Sequence, residues 1–389
     1  MALHTSQLRG RTVLVLLALL LTASACTSGD GSTTTLSSGS STTGPGTSVV
    51  PPTGPGTTAG PGTSFPPPTY PVVPAPQWVD ESGFNDHSVP AIPTVPEYFA
   101  LSRTGASGQS VVKFTIADFS RNPSIWWMDS NFYTLHDEWY WFRLLNGAAV
   151  PGSSFEPLPG GQKFDTIEDI YSWALSQPRD ALPYDLAFVG SQSVGNRLYS
   201  NDFYELALDV EPRVLGLGSL LYFPSSAGEG GERWVIELEY HDDPTPGEVE
   251  DFFELIAGSV PSAIGDRLEW VLRSPEQEAV AAVLAGGQLP YHDRVVRYSE
   301  LVPPGQIAVY NEGIAAGRLL LIGPGGKDLS DAGETDILLV DTVPDFLPPG
   351  SALISSAPQT ALAHVNILAR NRGIPNASQS GILQDAGVQ

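Results

Sequence analysis

The sequence predicts an α+β protein carried behind a long non-globular N-terminal stretch. Three observations lead there. Residues 27 to about 78 are Ser, Thr, Gly and Pro with almost no large apolar side chains, a composition that cannot bury enough surface to order itself. From about residue 95 short β-branched and aromatic runs alternate with helix-period segments. Near residue 300 a second series of short apolar strands begins and leads to one late helix. The resulting division is a leader over 1–25, a tether over 26–80, an α+β domain over 95–300 and a further domain over 305–389.

The leader has Arg9 and Arg11 before the apolar run Val13 to Leu21, then small residues Ala23-Ser24-Ala25 and Cys26. This is a secretory signal, with an apolar run too short to span a bilayer. The tether repeats Gly-Pro-Gly-Thr and ends in Pro66-Pro67-Pro68. As a flexible coil it has a reach of about 40 Å.

Val111–Ala117 reads as a strand. In the aromatic run 125–142 the first half reads as a strand, and Leu135–Leu145 as a helix. Aromatics at this density most often form core; the functional alternative is a ligand platform with His136, Asp137 and Glu138 as polar partners. Phe164–Leu175 is expected to be helical, capped by Asp165 or Thr166. Strands are expected at 186–189, 204–208, 217–223 and 234–240, with a Gly-rich turn over 227–231. Thr245-Pro246-Gly247-Glu248 has the cap, N1 proline and glutamate of a helix start. Val249, Phe252, Phe253 and Ile256 form its apolar stripe. Pro275–Leu284 is a further helix, ended by Gly286-Gly287. Beyond 300, strands are expected at 306–310, 317–322, 335–340 and 351–355, before a loop and helix over 359–375.

The chain has 389 residues, a formal net charge of -24 and one cysteine. The charge argues against nucleic acid as a partner, and the single cysteine excludes an internal disulfide framework. His241-Asp242-Asp243 and His292-Asp293 lack a second histidine at ligand spacing, so no metal site is expected. There is no phosphate-binding Gly-x-x-x-x-Gly-Lys-Ser/Thr loop, because Gly323-Pro324-Gly325-Gly326-Lys327 lacks its spacing and hydroxyl. No Gly-x-Ser-x-Gly elbow occurs either.

The stretch Gln359-Thr-Ala-Leu-Ala-His-Val-Asn-Ile-Leu-Ala-Arg-Asn-Arg-Gly-Ile-Pro375 places His364 in a first helical turn. There free N–H groups and the positive dipole end favour an anion. His364, Ala369-Arg370 and Gly373-Ile374-Pro375 resemble the motif of the swivelling phosphohistidine domain of phosphoenolpyruvate-utilising enzymes. The likeness is greatest to bacterial proteins described as having a phosphoenolpyruvate/pyruvate-binding domain. The resemblance covers 305–389 and implies a swivelling β/β/α fold with phosphotransferase chemistry. His364 would be the nucleophile, while Thr360 and Arg370 would hold phosphate oxygens or neutralise their charge. The family has hydroxyl residues where this chain has Leu362 and Ala363, and its domain continues further past the Ile-Pro step, which implies an incomplete domain here. Nothing resembles the family's ATP-binding domain or phosphoenolpyruvate barrel. The chain therefore holds no cofactor of its own, and Mg with ATP or phosphoenolpyruvate would belong to a partner acting as phosphoryl donor. Cys26 after its small residues resembles the cleavage box of bacterial lipoproteins. That implies a lipidated N-terminus anchoring the protein outside the cytoplasmic membrane. A non-catalytic surface binding or structural lipoprotein is the rival expectation.

Overall fold

In the computed structural model the described residues run from 70 to 384, with breaks at 80–82, 106–107, 159–162, 184–185, 190–196, 225–230, 303–304, 323–325, 345–346 and 348–349. The expected leader, Cys26 and most of the tether lie outside them, as does most of the 227–231 turn. The chain opens with β1 (Ser88–Val89), α1 (Val95–Leu101), β2 (Arg103–Thr104), β3 (Ser110–Ala117) and β4 (Ser124–Met128). Helices α2 (His136–Leu145) and α3 (Ile167–Ser176) precede a ribbon of β5 (Leu186–Val189) and β6 (Arg197–Ser200), then α4 (Asn201–Leu208). There follow β7 (Leu215–Phe223), β8 (Arg233–Leu238), α5 (Pro246–Ser259), α6 (Ser262–Gly265), β9 (Leu268–Val271), α7 (Pro275–Gly287), β10 (Val295–Val296) and α8 (Tyr298–Leu301). The last part holds β11 (Ile307–Asn311), β12 (Arg318–Ile322), β13 (Asp336–Val340), β14 (Ala352–Ser355), α9 (His364–Arg372) and β15 (Asn376–Gln379).

These elements make a mixed α/β structure with two mixed sheets. The first has the order β1-β4-β3-β7-β8-β9-β10, with β2 beside β3. It is antiparallel as far as β8 and parallel from β8 to β10. The second has the order β11-β15-β14-β13-β12, parallel throughout except for β11. No helix among the described residues is long and apolar enough to cross a membrane.

Side-chain alternation divides the first sheet's two faces. Val112, Phe114 and Ile116 of β3 and Leu220, Trp234 and Ile236 beside them pack against Val249, Phe252, Phe253 and Ile256 of α5. Each of these large side chains contributes about 1.5–3 kcal/mol by leaving water. On the opposite face one end, Ala117, Leu215 and Leu217, lies under α2, α3 and α4. The other end, Val111, Leu221, Val235 and Val271, lies under Val302 and Leu362. Between these two apolar ends Lys113, Ser219 and Glu237 stand in register across β3, β7 and β8.

Local signals explain most boundaries. At α5, Thr245 Oγ1 accepts from Glu248 N–H at 3.3 Å and Thr245 N–H donates to Glu248 Oε2 at 2.7 Å, satisfying two otherwise orphan donors. Thr245→Ala is expected to cost about 1 kcal/mol; an unchanged urea midpoint would show that the cap is redundant. Thr166, rather than Asp165, caps α3.

Three expectations need correction. Residues 204–208 are helical, not extended. Ser200-Asn201-Asp202 starts α4, and Phe203, Tyr204 and Ala207 bury the i, i+1, i+4 face that the Tyr-Glu-Leu-Ala-Leu alternation concealed. The tether does not reach residue 80, because Tyr70 stacks on Phe99 at 4.8 Å and Trp78 meets Trp126 edge-on at 5.1 Å. The aromatic run 125–142 offers no ligand platform: Trp126, Trp127, Trp139, Tyr140, Trp141 and Phe142 are all buried.

Candidate functional site

The loop before His364 is held by side chains that sequence spacing alone could not pair. Gln359 Nε2 donates to Asn376 Oδ1 at 2.7 Å and Asn376 Nδ2 returns a bond to Gln359 Oε1 at 2.6 Å. Gln359 N–H donates to Tyr310 Oη at 2.7 Å, and Tyr310 Oη meets Ser378 Oγ at 2.9 Å. The loop is thus tied to β11 and β15 of its own sheet. Ala363 is the cap residue of α9 and has no side-chain oxygen to offer. Gly373 ends the helix in the left-handed conformation at φ 65, as its position after the last periodic residue predicts. Val365 and Ala369 bury α9 against Leu338, Val340 and Leu353.

Leu362 packs elsewhere. It is 2% exposed within the cluster of Val111, Leu221, Val235 and Val271 on the first sheet. Leu362 therefore docks the histidine loop onto the first sheet, and Ala363 lines the cavity beside it.

This docking sets His364 over the polar row. A narrow cavity of about 20 Å³ is lined by Lys113, Glu237, Glu239, Arg273, Thr360 and His364, among others, which is room for about one water. His364 Nε2 is buried with no hydrogen-bond partner among the described residues. Beneath it His136, the first residue of α2, places Nε2 2.9 Å from the Gly218 carbonyl oxygen and Nδ1 2.9 Å from Glu239 Oε1. Lys113 Nζ lies 3.5 Å from the same Nδ1. Glycine is required at 218, since a Cβ there would come within 2.7 Å of the Glu237 carbonyl oxygen and 2.5 Å of the Phe114 ring. Glu237 is held by the Tyr298 hydroxyl and lies 3.6 Å from Arg273 Nη1, which also donates to the Leu238 carbonyl at 3.2 Å.

The electrostatics follow from burial around one carboxylate. Burial lowers the Lys113 ammonium, with Glu239 and Glu237 pulling it back up. Burial and the charge of Lys113 lower His136. Burial alone would raise Glu239, but its hydrogen bond to His136, with Lys113 and His364 near, holds it well below the usual carboxylate range. Burial also lowers His364 to about 4; Glu239 opposes this and Lys113, His136 and Arg273 reinforce it. At neutral pH His364 is therefore an uncharged imidazole with a lone pair on one ring nitrogen, the form that acts as a nucleophile.

Of the residues expected at the site, Thr360 lines the same cavity as His364 and is buried. Arg370 is exposed in the last turn of α9 and does not line the cavity. Lys113, Glu239 and Arg273 were not anticipated. A lysine inside Val-Val-Lys-Phe-Thr-Ile is the one signal that could have marked the row, since a charge in a buried strand needs partners. Among the described residues no group of three or more His, Cys, Asp or Glu could hold a metal ion. Asp242 is instead taken by Arg213, at 2.7 Å and 3.0 Å, and His292 Nδ1 sits 2.8 Å from the Leu289 carbonyl oxygen. No family model, characterised protein or solved structure matches this chain.

Proposed function

We propose that this chain is a lipid-anchored protein of the bacterial envelope whose residues 305–389 work as a swivelling phosphohistidine domain. His364 relays a phosphoryl group supplied by a separate donor protein. The observation that carries this reading is the neutral His364 ring at a helix start, its Nε2 unpartnered. In the reaction a ring nitrogen forms a bond to phosphorus as the bond from phosphorus to the donor's leaving oxygen breaks, and that oxygen keeps the electron pair. Thr360 is the hydroxyl suited to a phosphoryl oxygen, and Arg370 would meet a donor only from the exposed side of α9. Mg and ATP or phosphoenolpyruvate belong to the partner. A 20 Å³ cavity does not admit a phosphoryl donor, so on this reading the histidine loop leaves its seat on the first sheet to be charged.

Incubating the soluble chain with labelled phosphoenolpyruvate or ATP, with and without cell lysate, tests the relay. Acid-labile label that His364→Ala abolishes is the expected result; no such label in any mixture sinks it. The seating of Leu362 supports a second reading, in which His364 is a fixed polar contact of a non-catalytic binding or structural lipoprotein. That reading expects no label and a loss of stability on His364→Ala.

A further inference from the structure

A cleft of about 720 Å³ opens beside the histidine cavity, between the β8–β9 ends of the first sheet and the β12–β13 ends of the second. Its volume falls within the roughly 300–1,000 Å³ of small-molecule sites. Tyr240, Leu272, Ile322, Leu329 and Val340 supply mainly apolar walls. Arg273 is shared: it lines this cleft, the 20 Å³ cavity under His364 and the 30 Å³ cavity between them. The geometry points to this cleft as a binding site for a small molecule with an apolar body and one anionic end, the anion meeting Arg273.

The charges around the cleft restrict where an anion can go. Glu278 is on the lining, but Arg297 holds it at 2.6 Å and 2.9 Å. Asp341 remains as an acidic group on the opposite wall, so the anionic end is driven to the Arg273 side. With a net charge of -24 the chain repels anions at long range. Capture therefore relies on a guanidinium within contact of the ligand, where a planar donor fork suits a carboxylate, sulfonate or phosphate. Arg273 lines the cleft from a position braced by Glu237 and the Leu238 carbonyl. Arg273 keeps its place on the cleft wall whether or not His364 carries a phosphoryl group.

The probe is 1-naphthyl phosphate, titrated calorimetrically into the soluble chain, with 1-naphthol as its uncharged counterpart. Saturable one-to-one binding is expected, at least tenfold tighter than that of 1-naphthol. Arg273→Gln should weaken it at least tenfold by removing the anion's partner. Leu329→Trp, a partly buried wall position away from the polar row, should do so by filling the cleft. Circular dichroism establishes that each variant is folded. No saturable binding by the unmodified chain, equal affinity for 1-naphthol, or a loss below threefold in either folded variant overturns the proposal.

Discussion

Asp86→Ala is expected to remove about 3–5 kcal/mol of folding stability, the cost of stranding one member of a buried ion pair. Asp86 is fully buried, and its Oδ2 accepts from Arg143 Nη1. Its Oδ1 accepts from Ser88 N–H at 3.1 Å and Ser88 Oγ at 2.7 Å, and its carbonyl accepts from the Tyr133 hydroxyl. Arg143 lies over the Trp126 and Trp139 rings at 5.1 Å and 5.3 Å and donates Nε–H to the Ala149 carbonyl at 2.9 Å. Removing the carboxylate leaves a guanidinium enclosed by aromatic rings with one carbonyl as partner. The double change Asp86→Ala with Arg143→Met should cost less than the sum of the two single changes, since no charge is then stranded. Urea unfolding at neutral pH measures all three; an Asp86→Ala loss under 1 kcal/mol would show that water reaches the guanidinium.

That pair explains what could and could not be read from the chain alone. Periodicity and caps are local, and they placed β3, β4, α2, α5 and α9 close to their observed bounds. Thr245 and Gly373 act through bonds within a few residues of themselves. The strands at 306–310, 317–322, 335–340 and 351–355 were visible as short apolar runs. β15 was not, because Asn376-Ala-Ser-Gln379 has no strand composition. It becomes a strand because β11 and β14 flank it and the Gln359–Asn376 pair holds its start. Likewise nothing local joins Asp86 to Arg143, or Lys113 to Glu239.

The site divides the same way. His364 at a helix start was readable from Gly373-Ile374-Pro375 and the apolar spacing behind it. Its surroundings come from β3, α2, β8 and the turn after β9, from Lys113 at 251 residues before it to Arg273 at 91. Leu362 shows what the fold adds to the reading of a single residue. Set beside the motif it resembles, position 362 reads only as a missing hydroxyl; in the packed protein Leu362 is the contact that seats the loop. The aromatic run 125–142 had two readings, and burial of its rings decides between them. The fate of His136 followed from that choice, since a ring at the base of a packed α2 can only face the sheet beneath it.

The second large effect is a pH dependence carried by His364. Its folded value of about 4 lies below the ordinary 6.5 of an unfolded histidine. Between these values the unfolded chain binds more protons than the folded one, so stability is full above about pH 6.5 and falls as pH drops toward 4. For one proton over that interval the loss is about 3 kcal/mol at most, and somewhat less because the ring is only half-buried. The groups facing the ring are Glu239, Lys113, His136 and Arg273, and His136, also lowered, adds a loss of the same sign. Asp242, raised by burial to about 6, and Asp137, raised by burial and by Glu138, act oppositely, since each binds its proton more readily when folded. The raw stability curve therefore mixes signs, and the informative quantity is the difference between the unmodified chain and His364→Gln. That difference should shift against the unmodified chain by about 2–3 kcal/mol between pH 7 and pH 4, with a slope approaching one proton. Parallel urea-midpoint curves over this range would mean that the ring takes up its proton freely in the folded protein. The seating of the histidine loop over Lys113 and Glu239 would then not persist in solution.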